Sequence, residues 1–323
     1  MSDPFNPGLS RFIRYLRSSP LRMALALLSA VAIITLIALG IRFVTLQNRS
    51  LALLNWLNLL LIPVLLIVAA LWITQSWRRT QLDVARLRDE RAMIEGYFDR
   101  LTDLLLSRDL RHSKPDDEVA RAARAHTLTI LRKINGEERG QVVRFLYESS
   151  LLNAGEPIVD LQAAELAGLD LSNVQMPGIN LRNVELTGAK LSGAGMQASD
   201  LRETILDNGD LTQADLSESY LRGASLRGAL LTDSILSNAT LTKVVFSGTN
   251  LRNADLTDAN LSGADLTEAD LTNANLKGAK LNGANLGGAI LDGADISLAN
   301  LSKANLNGAS ALGANFRGAN LAG

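Results

Sequence analysis

The chain has 323 residues, 47% of them hydrophobic, with 32 basic and 33 acidic side chains for a net charge of −1. It contains no cysteine, which excludes disulfides and thiolate metal sites and leaves the redox compartment open. The near-zero total hides a division. From Val159 onward 18 acidic and 11 basic residues give −7, while the residues before it carry 15 and 21, giving +6.

Residues 1–22 form a basic leader. Leu9, Phe12, Ile13 and Leu16 recur at helical spacing with Arg11, Arg14 and Arg17 between them. This is either a short helix on an anionic membrane face or a flexible leader that orients the next segment. Residues 23–41 are apolar or small and uncharged, long enough for a spanning helix. A cleaved signal peptide would end in a small-residue site, whereas Arg42 and Phe43 come next here. Residues 51–74 predict a second span, with Trp72 and Trp77 placed for an interfacial belt. Together 23–76 read as a transmembrane hairpin.

Arg11, Arg14, Arg17 and Arg22 precede the first span, and Arg78, Arg79, Arg86, Arg88 and Arg91 come after the second. The positive-inside rule then puts both termini in the cytoplasm. The expectation is a multi-pass protein of a bacterial plasma (inner) membrane, with the lipid bilayer as a partner. Asn55 and Asn58 fall inside the second span. Polar residues there are functional candidates, but hydrogen bonding to the first helix or to a second copy is the plainer reading.

Residues 77–156 predict a helical linker and cap. Leu87, Ile94 and Leu101 are seven apart, with Tyr97 and Leu104 in the partner positions. The seam suits either pairing of two copies or packing against the next helices. Ser113 and the Pro115–Glu118 acids read as a helix start, with the helix stopping at Asn135-Gly136. A further helix is expected over 138–152. Its Val142, Val143, Phe145, Leu146 and Leu151 are suited to cover the first coil of a repeat region, since an open solenoid end exposes unpaired backbone.

From Val159 to Gly323 the chain divides into 33 units of five. The centre of each unit is Leu in 27 of them, and the residue two before it is Ala in 21. A period of five fits neither helix nor lone strand. It does fit one side of a squared coil, with the centre and the residue two before it both pointing inward. The position two after the centre is Gly in 16 units and Asn in 6, the residues that accept positive φ in a type II turn.

These units resemble the pentapeptide repeat family. The segment Thr127–Leu152 is similar to that preceding the repeats in membrane-anchored bacterial members. The resemblance implies a right-handed quadrilateral β-helix, four units per turn, over 157–323. It also implies self-association through the C-terminal coils, as in some soluble members. The fold class expected is therefore mixed: a transmembrane hairpin, a short α-helical region and a pentapeptide repeat solenoid.

No catalytic, metal or cofactor site is expected. His112 and His126 have no ligand partners in sequence, and the recurring Asp255, Asp265 and Asp270 are suited to solvation and backbone hydrogen bonds rather than acid–base work. Two departures from the repeat mark a candidate interaction surface. Residues 20 apart stack on adjacent coils, so Arg182, Arg202 and Arg222 make a basic ladder, open to an anionic partner or neutralised by Glu185, Asp200 or Glu203. The position before the centre, usually Asp or Asn, becomes Ile205, Tyr220, Leu230, Ile235 and Val245. Ile205 and Val245 share a face and the others do not.

The function expected is a non-enzymatic, oligomeric, membrane-anchored scaffold that presents the rod to an unidentified cytoplasmic protein. The alternative is a DNA mimic of the kind by which soluble relatives bind gyrase. Nucleic acid itself is not an expected partner.

Overall fold

The computed structural model describes residues 68–70, 72–75, 88, 90–153, 155–162 and 164–323. The chain divides into two units, Met1–Asp89 and Glu90–Gly323. In the first, residues 68–70 and 72–75 are helical, and Val68 and Trp72 are exposed.

The membrane assignment is corrected here. Among the described residues no helix is long and apolar enough to cross a membrane. The helices of the second unit each bury one face and carry charge on the other, Arg91, Glu95, Asp99 and Arg100 on the first of them being exposed. The lack of such a helix overturns the expected multi-pass plasma-membrane location with both termini cytoplasmic. The expected spans, 23–41 and most of 51–74, lie outside the described residues, as do Asn55 and Asn58.

The second unit opens with helical residues 90–107 (α1), then a 3₁₀ turn Leu110–His112, α2 Glu118–Leu131 and α3 Gly136–Glu148. Ile94, Tyr97 and Leu101 of the α1 seam are buried. Tyr97 hydrogen-bonds Thr127 of α2 at 2.9 Å, and Phe98 meets Phe145 of α3 with ring centroids 4.7 Å apart. The seam is thus filled by the chain's own helices. Two helix boundaries differ from the sequence expectation. Ser113 does not start α2: it ends the 3₁₀ turn, its amide and hydroxyl both donating to the Leu110 carbonyl, and α2 begins five residues later. Asn135 does not end α2 but starts α3, through a reciprocal capping box with Glu138. That pairing satisfies two otherwise orphaned amides at once.

α3 closes the start of the rod. Val142, Val143, Leu146 and Leu151 are fully buried. Gly136 and Gly140 let the helix lie directly on backbone: a Cβ on either would come within 2.1 Å of the Gly168 carbonyl or 2.2 Å of that of Asp170. The cap also lends carbonyls to first-coil amides that have no coil beneath them. Asp170 donates to Gly136 at 3.2 Å and Asn180 to Leu152 at 2.7 Å.

The rod itself is a ladder of parallel bridges, each joining a residue to the one 20 later, from Glu165↔Glu185 to Asn300↔Asn320. Twenty residues are four units, so each coil has four sides. The unit Ala264–Glu268 shows why the sequence closes this way. The Ala264 amide closes a turn on Leu261 (3.0 Å), that of Asp265 reaches back one coil to Val244 (2.9 Å), and those of Leu266 and Glu268 reach forward to Asn285 (2.7 Å) and Gly287 (2.9 Å). The fifth amide, of Thr267, is taken by the Asp265 carboxylate at 3.1 Å. Every amide of the unit has a partner, as a buried backbone requires. The turn position has positive φ throughout, 54° to 61° where the residue is not glycine. Asp, Glu, Lys and even Leu298 adopt it, so the ladder imposes this conformation at some cost where glycine is absent. Every centre from Leu161 to Leu301 is no more than 2% exposed, and each such leucine contributes about 1.5–3 kcal/mol.

Candidate interaction face

The side chain one before the centre has a fixed task. Asp or Asn there accepts the amide two residues on, as in Asp255 to Thr257 at 3.0 Å and Asn300 to Ser302 at 3.1 Å. This is the reach of an Asx turn, and it accounts for the periodic carboxylates without any catalytic role. The same side chains link coils: Asn275 donates to Asp255 (3.3 Å) and Thr257 (2.7 Å), and Asn315 to Asp295 (2.9 Å).

Charge in register is avoided. Down each face no Asp in this position sits on another Asp: the run Asp255, Asn275, Asp295, Asn315 alternates, and Lys190 separates Asp170 from Asp210. Like charges directly opposite in adjacent strands are destabilising. Acids stack only at Glu165 and Glu185.

Arg182, Arg202 and Arg222 break this pattern. They are three cations on successive coils, one after the centre on the face that carries Asn180, Asp200 and Tyr220. Only the middle one is neutralised. Arg202 donates to both oxygens of Asp200, Nε at 2.8 Å and Nη2 at 2.5 Å. Asp200 is 4% exposed. Burial alone would raise its carboxyl, but the hydrogen bonds from the Arg202 side chain and amide, with the charges of Arg202 and Arg182, outweigh burial and hold it below the usual carboxylate range. Arg182 and Arg222 are exposed, and among the described residues neither has an acid within ion-pair distance. Glu185 and Glu203, named in the sequence as neutralisers, do not bridge to them.

At the foot of the ladder the Gly155–Pro157 loop overhangs the same face. A cleft of about 320 Å³ opens there, lined by Glu156, Asn180, Arg182, Asp200 and Arg202 among others. Asn180 donates to the Gly155 carbonyl at 2.9 Å and so holds the loop in place. Tyr220, 51% exposed, stands above Asp200 one coil further on. The structure therefore brings Arg182, Arg202, Arg222 and Tyr220 onto one face.

Ile205 and Val245 share another face, separated by Ser225, and Leu230 and Ile235 stand on the remaining two. No contiguous apolar patch forms from them. His112 pairs with Asp109 at 2.7 Å, both exposed. One feature escaped the sequence reading: a groove between α1 and α2 beside Gly96. A glycine in the middle of a helical pattern was its only signal.

The pentapeptide repeats family model matches residues 160–197, 196–233, 234–273, 269–308 and 299–323, half of the chain. No curated protein matches it. Among solved structures the chain is similar to HetL, a pentapeptide repeat protein of heterocyst differentiation regulation from the cyanobacterium Nostoc sp. The identity is 31% over 56% of this chain and 94% of that one, with a TM-score of 0.31. It is similar to a pentapeptide repeat protein of the Arabidopsis thaliana thylakoid lumen, at 36% identity over 26% of this chain and 59% of that one, TM-score 0.26. It is also similar to QnrB1, a plasmid-mediated fluoroquinolone resistance protein, at 19% identity over 48% of this chain and 92% of that one, TM-score 0.28. With the unbroken five-residue register and the four-sided ladder, the family match is decisive: the chain belongs to the pentapeptide repeat family, whose fold is a right-handed β-helix solenoid.

Proposed function

We propose that this protein is a non-enzymatic protein-binding module whose contact face is the side of the rod bearing Arg182, Arg202, Arg222 and Tyr220. The observation that carries the reading is the stack of three arginines, one neutralised, in a rod that elsewhere stacks like charges only at Glu165 and Glu185. A local violation of a rule kept elsewhere is where function is expected. Arg and Tyr are also the side chains that dominate protein interfaces. The guanidiniums of Arg182 and Arg222 favour a partner surface with carboxylates, held bidentately.

A duplex-DNA mimic is the weaker reading. DNA carries one negative charge per about 1.7 Å of axis, so a rod of roughly 40 Å would need on the order of twenty. The repeat region has a net charge of −7, with the arginine ladder on its surface.

Photo-crosslinking in the native host tests the proposal. A crosslinking residue at Tyr220 is expected to capture a discrete partner, and one at Asn300, on the same face four coils further on, to capture none. Replacing Arg182 and Arg222 with Glu is expected to abolish capture at Tyr220 while leaving the β-rich circular dichroism unchanged. Equal capture at both positions, or capture indifferent to the arginines, overturns it.

A further inference from the structure

Gly96 stands in the interior of α1, where glycine costs about 1 kcal/mol relative to alanine. The cap's other helical glycines have an evident reason, since Gly136 and Gly140 press on backbone carbonyls. Gly96 has none of that kind. A Cβ there would meet nothing within 4 Å among the described residues, and its φ is not positive. What the missing side chain opens is a groove of about 300 Å³ between α1 and α2. Met93, Tyr97 and Ile130 give it an apolar floor, and Arg100, His126 and Lys133 stand around it. Among the described residues neither Arg100 nor Lys133 is in an ion pair, and the neighbouring acids Glu95 and Asp99 do not line the groove.

We propose that this groove is a second docking site, for a helical segment of a partner protein that sets one large apolar side chain over Gly96 and carboxylates against Arg100 and Lys133. The occupant is set by the chemistry of the walls. The hydroxyl of Tyr97 is already engaged with Thr127, so the floor is suited to an apolar side chain rather than a polar small molecule. The rim supplies charge of one sign only, which selects an acidic flank. An amphipathic helix laid in an apolar groove is a recurring mode of peptide recognition. This site is separate from the arginine face of the rod and stands or falls independently of it.

Fluorescence anisotropy on the full chain tests it. The probe is a short helical peptide with a leucine stripe flanked by glutamates, and the control replaces the glutamates by lysines. The acidic peptide is expected to bind and the lysine peptide not to. Gly96→Leu fills the groove while improving helix propensity, so it is expected to melt no lower than the parent and to weaken binding by about tenfold or more. Arg100→Glu with Lys133→Glu leaves the floor intact and is expected to weaken binding by a similar factor. Failure of the acidic peptide to bind, equal binding of the lysine peptide, or undiminished affinity in both variants overturns the assignment.

Discussion

The coils from Ile205 to Val245 and those from Asn250 to Asn300 share one core and differ on the outside. In the later set the position before the centre is Asp or Asn at all but Lys280 and Ile290, and these side chains cap the backbone of their own turn. In the earlier set Ile205, Tyr220, Leu230, Ile235 and Val245 cannot accept a hydrogen bond at that place, and the amides two residues on have no protein acceptor among the described residues. Where Ser225 takes the same position, Asp207 supplies the cap from the preceding coil, accepting the Arg227 amide at 2.9 Å. The later surface is committed to holding the fold. The earlier one has been partly released from that task; Tyr220 and Arg222 of the proposed contact face lie within it, and Arg182 and Arg202 on the capped coils before it. An exterior side chain that caps the backbone is fixed in kind, and one that does not is free to vary, as the earlier coils do.

If the cores are equivalent, cavities should cost the same in both regions. Leu206 and Leu266 are both fully buried centres. Leu206→Ala and Leu266→Ala are each expected to destabilise by about 2–5 kcal/mol, with values within about 1 kcal/mol of each other, measured by denaturant unfolding. A Leu206→Ala cost much the smaller would mean that the earlier coils are loosely packed. Their irregular surface would then reflect weak folding rather than a released one.

The spacing of acids sharpens the contrast. Asn275→Asp would insert a third carboxylate between those of Asp255 and Asp295 on successive coils, and would remove the amide donor to Thr257. A loss of about 1–2 kcal/mol is expected at neutral pH. The repulsion needs ionised carboxylates, so the penalty is expected at neutral pH and to be lost in acid, where they are protonated. Thr240→Asp is the counterpart in the earlier coils. Its stacked neighbours are Tyr220 and Asn260, and its carboxylate would gain the Thr242 amide. It is expected to be neutral or to stabilise by up to about 1 kcal/mol. Equal losses in the two variants would remove in-register repulsion as the explanation of the alternation.

What the sequence made legible depends on how far each signal reaches. The coil was legible because its register repeats 33 times, so no single misfit obscures it, and the inward centres and turn positions stand where the period puts them. Residue arithmetic modulo 20 also placed the arginines in a ladder. It left open that Asp200 would engage Arg202 and not Arg182, because that choice depends on side-chain geometry within one coil. The helical cap was less legible. Asn-Gly serves equally as a helix stop or as an N-cap, and only the reach of Glu138 back to the Asn135 amide decides it. The groove at Gly96 needs two helices in contact, which no local pattern reports. The membrane expectation is not met among the described residues, where no helix is long and apolar enough to cross a membrane; the apolar runs behind it lie mostly outside them.

The smallest effect concerns how each cap responds to acid. The Ser297 hydroxyl and amide, then the Asn315 side chain, hold the Asp295 carboxyl below its usual range, and the charge of Lys277 adds to this. A carboxyl depressed in the folded state contributes stability above its unfolded pKa of about 3.9, and that contribution is lost as pH falls through the folded value. Asp295→Asn keeps an oxygen for the Ser297 amide but titrates no longer. The fall in melting temperature between pH 7 and pH 3 is therefore expected to be smaller in Asp295→Asn than in the parent. Asp215 offers the matched case in the earlier coils. Burial opposes its ionisation, and the hydrogen bonds from Ser217 and Gln197 overcome it, with apolar Ile235 on the next coil in place of an asparagine. Asp215→Asn is expected to narrow the same pH difference. A pH response untouched by either change would show that these caps are geometric fillers whose charge does not matter, and the difference between the two sets of coils would then rest on shape alone.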